Sequence, residues 1–345
     1  MSELALYRKY RPESFDEMMG QGHVVDALTQ SLKSGAPAHA YLLTGPRGTG
    51  KTTTARIIAR MLETSPNDLY EIDAASNTGV DDIRLLKEAI QTLPFDSKYK
   101  VYIIDEVHML SKSAFNALLK TLEEPPAHVI FVLATTELHK VPDTIISRCQ
   151  TFSFKKPTQD VLRDLVVETA KKEGYAIDAE AASVLAMLGD GAFRDTYGML
   201  QKVMSSVKAK KITVEDVEHV TGAPRAELVH DLIRAIIAKN IETALLAVRH
   251  AVTENIDIIT YLKLVMRELR FALLFKFSPV MKKEVFETLS LDEQKFQDEI
   301  TGAVGVTLNS ALLKELIDVY ADTGKSHIAE LPLELALIKL LSSQK

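Results

Sequence analysis

The chain has 345 residues, which suggests roughly two to three domains, and its formal net charge at pH 7 is −6. The charge excludes nucleic-acid binding through an overall basic field, so such binding would need a local patch or partner chains. Cys149 is the one cysteine, which excludes a disulfide framework within the chain and fits a cytoplasmic environment. Residues 1–10 lack the apolar core of a signal peptide, and the longest apolar run, Val129–Ala134, is too short to cross a bilayer. We therefore expect no membrane partner.

The N-terminal segment 6–21 alternates aromatic and basic residues and contains Arg11-Pro12. We predict an irregular arm, because proline and the residue before it resist helix formation. Tyrosine and arginine side chains offer flat faces that could stack on a base. The alternative is an ordinary anchored N-terminus. A helix is predicted for 24–34.

The segment Gly45–Thr52 matches the phosphate-binding loop pattern G-x-x-x-x-G-K-[ST]. An apolar run at 40–43 predicts a buried strand before it, and the pattern over 53–62 predicts a helix after it. Backbone N–H groups of such a loop face phosphate oxygens, while Lys51 would reach the phosphates and Thr52 would hold Mg²⁺. The alternative is a chance glycine-rich turn, which the flanking strand and helix disfavour. The predicted nucleotide-binding residues of this segment are Gly45, Pro46, Arg47, Gly48, Thr49, Gly50, Lys51, Thr52 and Thr53.

A second acidic motif follows the apolar strand predicted at 100–104. Asp105 and Glu106 end this strand, and the carboxyl ends of parallel strands share one edge with the phosphate-binding loop. Asp105 would bind Mg²⁺ through water, and Glu106 would orient and deprotonate the attacking water. The alternative is a surface Asp-Glu pair without function.

The other predicted elements complete an α/β domain. Strands are predicted at 69–73, 129–134 and 151–154, and helices at 81–93 and 113–124. Alternating strands and helices indicate a parallel sheet with helices on both faces. Thr135 and Thr136 follow the strand at 129–134 and would deliver hydroxyl groups to the same sheet edge.

The rest of the chain is predicted to be helical. The expected domains are 1–155 (nucleotide-binding), 156–222 (a helical lid) and 223–345 (an all-α domain). Capping-box spacing at Thr213–Asp216 predicts one of the lid helices. The last domain is either a simple helical bundle or an oligomerisation platform, and its wide apolar faces favour the platform. The last helix, 331–341, is apolar on most of its circumference and is expected to bury against neighbours.

Two arginines are candidates for stabilising the charge that develops during phosphoryl transfer. Arg148 and Arg194 both lie far from the loop in sequence. One of them could act across a subunit boundary. The alternative for each is a structural salt bridge, which is common for an isolated arginine.

These residues resemble the gamma/tau subunits of bacterial DNA polymerase III, the AAA+ motors of the sliding-clamp loader. The resemblance covers essentially the whole chain. It is densest in the segments Tyr7–Pro12, Gly45–Thr52, Ile72–Ser76, Ile104–Leu110, Phe115–Pro126 and Ser147–Cys149.

The resemblance implies a role for individual residues. Thr136, or alternatively Thr135, matches the sensor that aligns the water, and Arg148 matches an arginine finger inserted into a neighbouring subunit. Arg194 matches a second sensor that reaches ATP on its own subunit. The residues that would frame the adenine are Tyr7, Arg8, Tyr10, Arg11, Pro12 and Val24. The positions that resemble DNA-tracking residues, and could equally be solvated surface residues, are Lys120, Lys140 and Thr144.

The resemblance also implies the activity and its partners. The chain would be an ATP hydrolase that carries no nucleotidyl-transfer residues and uses ATP and Mg²⁺ to load the clamp onto primer–template DNA. Its partners would be delta, delta-prime and further gamma/tau copies in a five-membered assembly, and the beta clamp. DNA would be gripped by its backbone, without base readout. The all-α domain would be the collar of the assembly.

One departure from the family pattern concerns zinc. Family members usually carry a four-cysteine zinc module between the helix that follows the phosphate-binding loop and the next strand. In this chain residues 61–68 connect that helix directly to the strand and contain no cysteine. We therefore expect no zinc. The chain also ends where the collar would end, which suggests a short form, a divergent protein or a trimmed chain.

Three other functions compete with this interpretation. A branch-migration helicase motor shares both motifs but would end in a winged-helix domain rather than in helices. A structural clamp-loader subunit without hydrolysis would be expected to lose Lys51 or Glu106, and both are present. A small-molecule kinase would leave the helical C-terminal half unexplained.

Overall fold

The computed structural model of the chain describes residues 4–33, 37–76, 89–286, 289, 291–305 and 307–342. The chain divides into two compact units. Residues 1–169 and 185–201 form the first unit, and residues 170–184 and 202–345 form the second. The three domain boundaries expected from the sequence stay a prediction.

In the described part of the first unit, five strands form one parallel sheet. The strands are β1 (Ala40–Thr44), β2 (Leu69–Asp73), β3 (Lys100–Asp105), β4 (Val129–Thr135) and β5 (Gln150–Ser153). Their order is β2-β3-β4-β1-β5. Thr44 pairs with Thr135, and Ile104 pairs with Leu133, so the ends of β1, β3 and β4 lie at the same edge. The predicted parallel sheet is confirmed.

Helices accompany the strands in chain order. The helices up to the end of the sheet are α1 (Leu6–Lys9), α2 (Gly22–Lys33), α3 (Lys51–Met61), α4 (Lys112–Glu123) and α5 (Asp143–Ile146). Short 3-10 helices lie at Phe15–Glu17, Pro66–Asp68, Val107–Met109 and Leu138–Lys140. The irregular arm predicted for 6–21 is wrong in part, because α1 and one 3-10 turn form there before and after Pro12. Most of the helix predicted at 81–93 lies outside the described residues.

The central strands β1, β3 and β4 are buried on both faces of the sheet, which explains why they are almost continuously apolar. Tyr102 and Phe131 face one apolar cluster, which includes Phe115 of α4. Tyr41 faces the other cluster, which includes Ile58 of α3. These two layers hold the edge that carries β1, β3 and β4 in a fixed position.

The remaining helices follow the sheet. They are α6 (Gln159–Lys172), α7 (Ala179–Leu188), α8 (Phe193–Ser206), α9 (Val214–Thr221), α10 (Ala226–Ile237), α11 (Ile241–Thr253), α12 (Ile258–Phe277), α13 (Pro279–Phe286), α14 (Leu291–Thr301), α15 (Ser310–Thr323) and α16 (Leu331–Ser342). The predicted capping box is confirmed: Thr213 and Asp216 cap α9 reciprocally. Two short parallel strands, β6 (Ala176–Ile177) and β7 (Lys211–Ile212), were not expected.

Helix α16 has one buried face and one exposed apolar face. Leu333 and Leu337 are buried, but Leu335 is 58% exposed and Ile338 is 43% exposed. In the described residues one face of α16 packs within the chain, and the burial of its other apolar face against neighbours stays a prediction. The role of the all-α region as an oligomerisation platform stays a prediction.

The segment between α3 and β2 is fastened by a buried carboxylate. Asp68 is fully buried, and its side chain accepts hydrogen bonds from the backbone N–H groups of Phe95 (2.7 Å), Asp96 (2.9 Å) and Ser97 (2.9 Å). Burial alone would raise the pKa of Asp68, but these donors outweigh it and lower the pKa to about 2. The carboxylate thus joins the short 61–68 bridge to the loop before β3.

We expect Asp68→Asn to lower the free energy of unfolding by about 1–3 kcal/mol, because the amide leaves buried N–H donors without an acceptor. The folded-state pKa of Asp68 is depressed, so its contribution is fully present above pH ~4 and is lost as pH falls towards 2. Urea denaturation at pH 7 and at pH 3 measures both effects. Asp96→Asn, at the exposed neighbouring position, is the matched control. An unchanged urea midpoint for Asp68→Asn would show that the hydrogen bonds of the Asp68 carboxylate do not contribute to stability.

Candidate nucleotide-binding site

The phosphate-binding loop connects β1 to α3, as predicted. At two positions of the loop, another part of the backbone or a side chain lies so close that only glycine fits. A Cβ atom at Gly45 would lie 2.4 Å from the carbonyl oxygen of Phe154, and one at Gly48 would lie 2.8 Å from Cβ of Ala192. Both glycines have positive φ, 141° and 74°. The backbone N–H of Phe193 also donates to the carbonyl oxygen of Gly48 at 3.0 Å. The start of α8 therefore lies directly against the loop.

Lys51 lies inside this loop. Its side chain is largely buried, and Nζ donates to the carbonyl oxygens of Gly45 (2.7 Å) and Pro46 (2.8 Å). Burial lowers the pKa of Lys51, while the carboxylates of Glu106 and Asp105 act in the opposite direction. The ammonium group is thus held at the concave side of the loop, where a phosphate oxygen can replace the carbonyl contacts.

The two predicted magnesium-binding residues lie in contact. Thr52, at the start of α3, donates from Oγ1 to Oδ2 of Asp105 at 2.7 Å. A hydroxyl and a carboxylate oxygen are ligands that Mg²⁺ takes, with water and phosphates completing its octahedron. Within the described ranges, no cluster of three or more His, Cys, Asp or Glu side chains is arranged to hold a metal. The oxygens of Thr52 and Asp105 fit Mg²⁺ bound together with a nucleotide. The expected absence of zinc stays a prediction.

Glu106 follows Asp105 in an uncommon backbone conformation, with φ 48° and ψ 45°. Left-handed geometry is unusual for a residue with a long side chain and is often found at functional sites. Thr136 donates to Oε2 of Glu106 from its hydroxyl (2.9 Å) and from its backbone N–H (3.2 Å). Of the two sensor candidates, Thr136 is the one bonded to Glu106, whereas Thr135 is buried and lies 3.0 Å from His108. The sensor role stays a prediction.

The N-terminal arm packs on α8. The ring of Tyr10 stacks on that of Tyr197 at 6.3 Å between centroids, and the Arg194 guanidinium lies 5.8 Å from the centroid of Tyr7. Burial, followed by the nearby charges of Arg56 and Arg194, lowers the pKa of Arg11. Predicted base-binding residues and the predicted second sensor are therefore brought together. The neighbouring Arg8 donates to the Tyr7 hydroxyl at 3.2 Å.

Val24, unlike the other predicted adenine-binding residues, belongs to the apolar core. Its side chain is buried in the apolar cluster with Phe15 and Leu28. Any contribution to a base pocket would therefore come from its backbone. The role of Val24 in adenine binding stays a prediction.

Arg148 lies in an ion pair on the surface of the first unit. Its guanidinium donates to Oε1 of Glu123 at 2.7 Å and to the carbonyl oxygen of Thr144 at 2.7 Å. The structural salt bridge, which was the alternative role for Arg148, is therefore present within the chain. Lys120 and Thr144, two of the proposed DNA-tracking residues, are exposed. Lys140 is paired with Glu137.

Comparisons with known proteins identify the family. DNA polymerase III subunit gamma of Buchnera aphidicola is 32% identical over 98% of this chain and 96% of its own length. The chain belongs to the gamma/tau subunits of bacterial DNA polymerase III. The subunit tau of Bacillus subtilis is 37% identical over 95% of this chain, which spans 60% of that relative's length. A family model described as DNA polymerase III, delta subunit, matches residues 60–158.

Solved structures agree on the fold. The RuvB Holliday junction branch migration motor of Thermotoga maritima is similar with a TM-score of 0.54 and 26% identity, over 66% of this chain and 79% of that one. The likeness reflects a shared AAA+ fold, since the sequence relatives decide the family. The predicted α/β AAA+ domain followed by helices is confirmed. Among the described residues, no helix combines the length and the apolar character needed to span a membrane.

Sequence reasoning missed two features near the site. A cavity of about 480 Å³ beside the arm is lined by Arg8, Lys9, Arg11, Pro12, Glu13, Arg56, Ile57 and Arg60. Arg56 and Arg60, four residues apart on α3, were not singled out, although helical spacing puts them on one face. His108, two positions after Glu106, was given no role, although its Nδ1 lies 3.0 Å from the hydroxyl of Thr135 and 3.4 Å from Oε2 of Glu106.

Proposed function

We propose that this chain is the ATP-hydrolysing motor subunit of a bacterial clamp loader. The observation that carries the proposal is the Thr52–Asp105 contact of 2.7 Å at the same sheet edge as the bonded pair Glu106 and Thr136. This is the set of groups needed to bind a metal–nucleotide complex and to activate water. Family membership supports the clamp-loader context. A non-hydrolysing subunit would have no need to retain this arrangement.

The chain's own residues would divide the work as follows. Loop N–H groups and Lys51 would bind the phosphates, and Thr52 and Asp105 would hold Mg²⁺, whose charge neutralises the phosphoryl oxygens. Glu106 would orient the attacking water and accept its proton, with Thr136 fixing the carboxylate. Arg194 would approach the phosphates of its own subunit, since it already neighbours the arm.

Arg148 would complete the site of a neighbouring subunit. The phosphoryl group carries spread negative charge in the transition state, so a guanidinium supplied in trans makes turnover depend on assembly. The partners would be delta, delta-prime and further gamma/tau copies, the beta clamp, and primer–template DNA held by its backbone. ATP binding would then prepare clamp opening, and hydrolysis would release the clamp on DNA.

Turnover of ATP by the reconstituted complex tests this function. We expect the rate to rise when the sliding clamp and primed DNA are added together, compared with either one alone. Unprimed double-stranded DNA of the same length is the control, because it offers the same phosphate charge without a primer end. A rate that clamp and primed DNA leave unchanged would reject the clamp-loader function.

A further inference from the structure

The beginning of the N-terminal arm lies along one face of α8. The residues of α8 that meet the arm are Arg194, Tyr197 and Gln201. Spacings of three and four residues place these side chains on one face of a helix. The backbone N–H of Leu6 donates to Oε1 of Gln201 at 3.0 Å. The rings of Tyr10 and Tyr197 lie within 11° of parallel. The arm is therefore attached to α8 over about two turns.

Tyr7 contacts two guanidinium groups. The guanidinium carbons of Arg194 and Arg8 lie 5.8 Å and 5.7 Å from the centroid of its ring. The face of an aromatic ring carries negative charge density and attracts a cation within about 6 Å. Arg8 also donates from Nε to the Tyr7 hydroxyl at 3.2 Å, whereas the contact of Arg194 is with the ring. A substitution that removes the hydroxyl but keeps the ring therefore leaves the contact with Arg194 in place.

Arg194 lies among other cations. Burial lowers the pKa of Arg11, and the charges of Arg56 and then Arg194 lower it further. Burial also lowers the pKa of Lys51, with a smaller contribution from Arg194 in the same direction. Within the part of the chain that the structure describes, Arg194 forms no ion pair with a carboxylate. Its positive charge is therefore available to an anion bound at the loop.

A contact with an aromatic ring suits a guanidinium that has to bind a phosphate. An ion pair with a carboxylate would occupy the N–H donors of Arg194 and neutralise its charge. The contact with the Tyr7 ring orders the side chain but leaves these donors available. An arginine that is ordered in advance loses less conformational entropy when it binds a ligand.

We propose that Tyr7 is a positioning residue for Arg194 and thereby raises the preference of the site for ATP over ADP. The inference rests on the proposed function, in which Arg194 approaches the phosphates on its own subunit. The ring keeps its contact with Arg194 while the N–H donors bind the terminal phosphate of ATP. ADP lacks that phosphate, so its affinity depends less on Tyr7. The aromatic face of Tyr7 then serves the phosphate end of the nucleotide and not the base.

Equilibrium binding to the full chain with Mg²⁺ tests this role, with ADP and a non-hydrolysable ATP analogue as the two ligands. Tyr7→Leu should lower the ratio of the affinity for the analogue to the affinity for ADP by about two- to tenfold, because Arg194 must then be ordered on binding. Tyr7→Phe keeps the ring and should retain the wild-type ratio. Tyr99→Leu is the matched control and should also retain it, because Tyr99 is a half-buried tyrosine of the same unit whose ring lies 5.0 Å from Nζ of Lys98.

The combination with a change at Arg194 decides the mechanism. Arg194→Ala should lower the affinity ratio, and adding Tyr7→Leu should lower it no further, because both changes remove one interaction. If Arg194→Ala leaves the ratio unchanged, Arg194 does not bind the terminal phosphate and the inference is wrong.

Two results for Tyr7→Leu alone would also overturn the inference. Equal losses of affinity for the analogue and for ADP would show that Tyr7 frames the base. An unchanged or higher ratio would show that Tyr7 does not position Arg194 for the terminal phosphate. Failure of the proposed function is observed separately, as a wild-type complex whose ATP turnover does not rise with clamp and primed DNA.

Discussion

Arg148→Ala is expected to lower the stimulated ATP turnover of the assembled complex by about 10³-fold or more, with ATP binding retained. The loss follows from removing a positive charge that meets the phosphoryl group only in the transition state. Within its own chain the guanidinium is bonded to Glu123 at 2.7 Å, so in the proposed mechanism it must exchange this partner for a neighbour's nucleotide. Turnover and nucleotide binding are measured on the same preparations.

A matched control separates catalysis from a lost ion pair. Arg163 is 30% exposed and pairs with Asp160 at 3.2 Å, against 33% exposure and 2.7 Å for Arg148. Arg163→Ala should change turnover little, because a surface ion pair contributes roughly 0–1 kcal/mol. If Arg148→Ala also behaves as wild type, its pair with Glu123 is purely structural.

Complementation tests whether the arginine acts across subunits. Lys51→Ala removes nucleotide binding from a subunit but leaves its Arg148 intact. A complex assembled from Arg148→Ala and Lys51→Ala chains should recover part of the turnover, because one chain supplies the site and the other supplies the arginine. Recovery cannot occur if Arg148 serves the site of its own chain. The mixed complex is compared with complexes that contain each variant alone.

The phosphate-binding loop and the acidic motif Asp105-Glu106 could be predicted because each is defined by a short stretch of sequence. Glycine spacing, a flanking apolar run and a helical pattern suffice for Gly45–Thr52. The pairing of Thr52 with Asp105 also follows, since both end up at one edge of a parallel sheet. Local signals therefore define the centre of the candidate site.

Other features depend on contacts between distant segments. That Glu106 bonds Thr136 follows from β3 lying beside β4 in the sheet, and strand order cannot be read from periodicity. The cavity lined by Arg56 and Arg60 exists because the arm lies over α3. The exposed face of α16 was unpredictable for the same reason, since periodicity shows that a face is apolar but does not show what covers it.

Glu106→Gln is expected to lower ATP turnover by about 10²–10⁴-fold, because the amide cannot accept the proton of the attacking water. The substitution is nearly isosteric, and glutamine has the same steric cost as glutamate in the left-handed backbone conformation at φ 48°. The amide oxygen can still accept from Thr136. Any loss of turnover is therefore caused by the missing carboxylate charge and not by a displaced side chain at position 106.

Binding and chemistry are separated by measuring ATP affinity at equilibrium and hydrolysis in a single turnover. We expect the affinity to be within a few-fold of wild type, since Glu106 is hydrogen-bonded to Thr136 on the neighbouring strand, whereas the loop and Lys51 would hold the phosphates. Glu124→Gln, at an exposed position at the end of α4, controls for the removal of one negative charge from the same unit. Retained hydrolysis in Glu106→Gln would mean that another group activates the water. The left-handed conformation at Glu106 would then serve the contact with Thr136 alone.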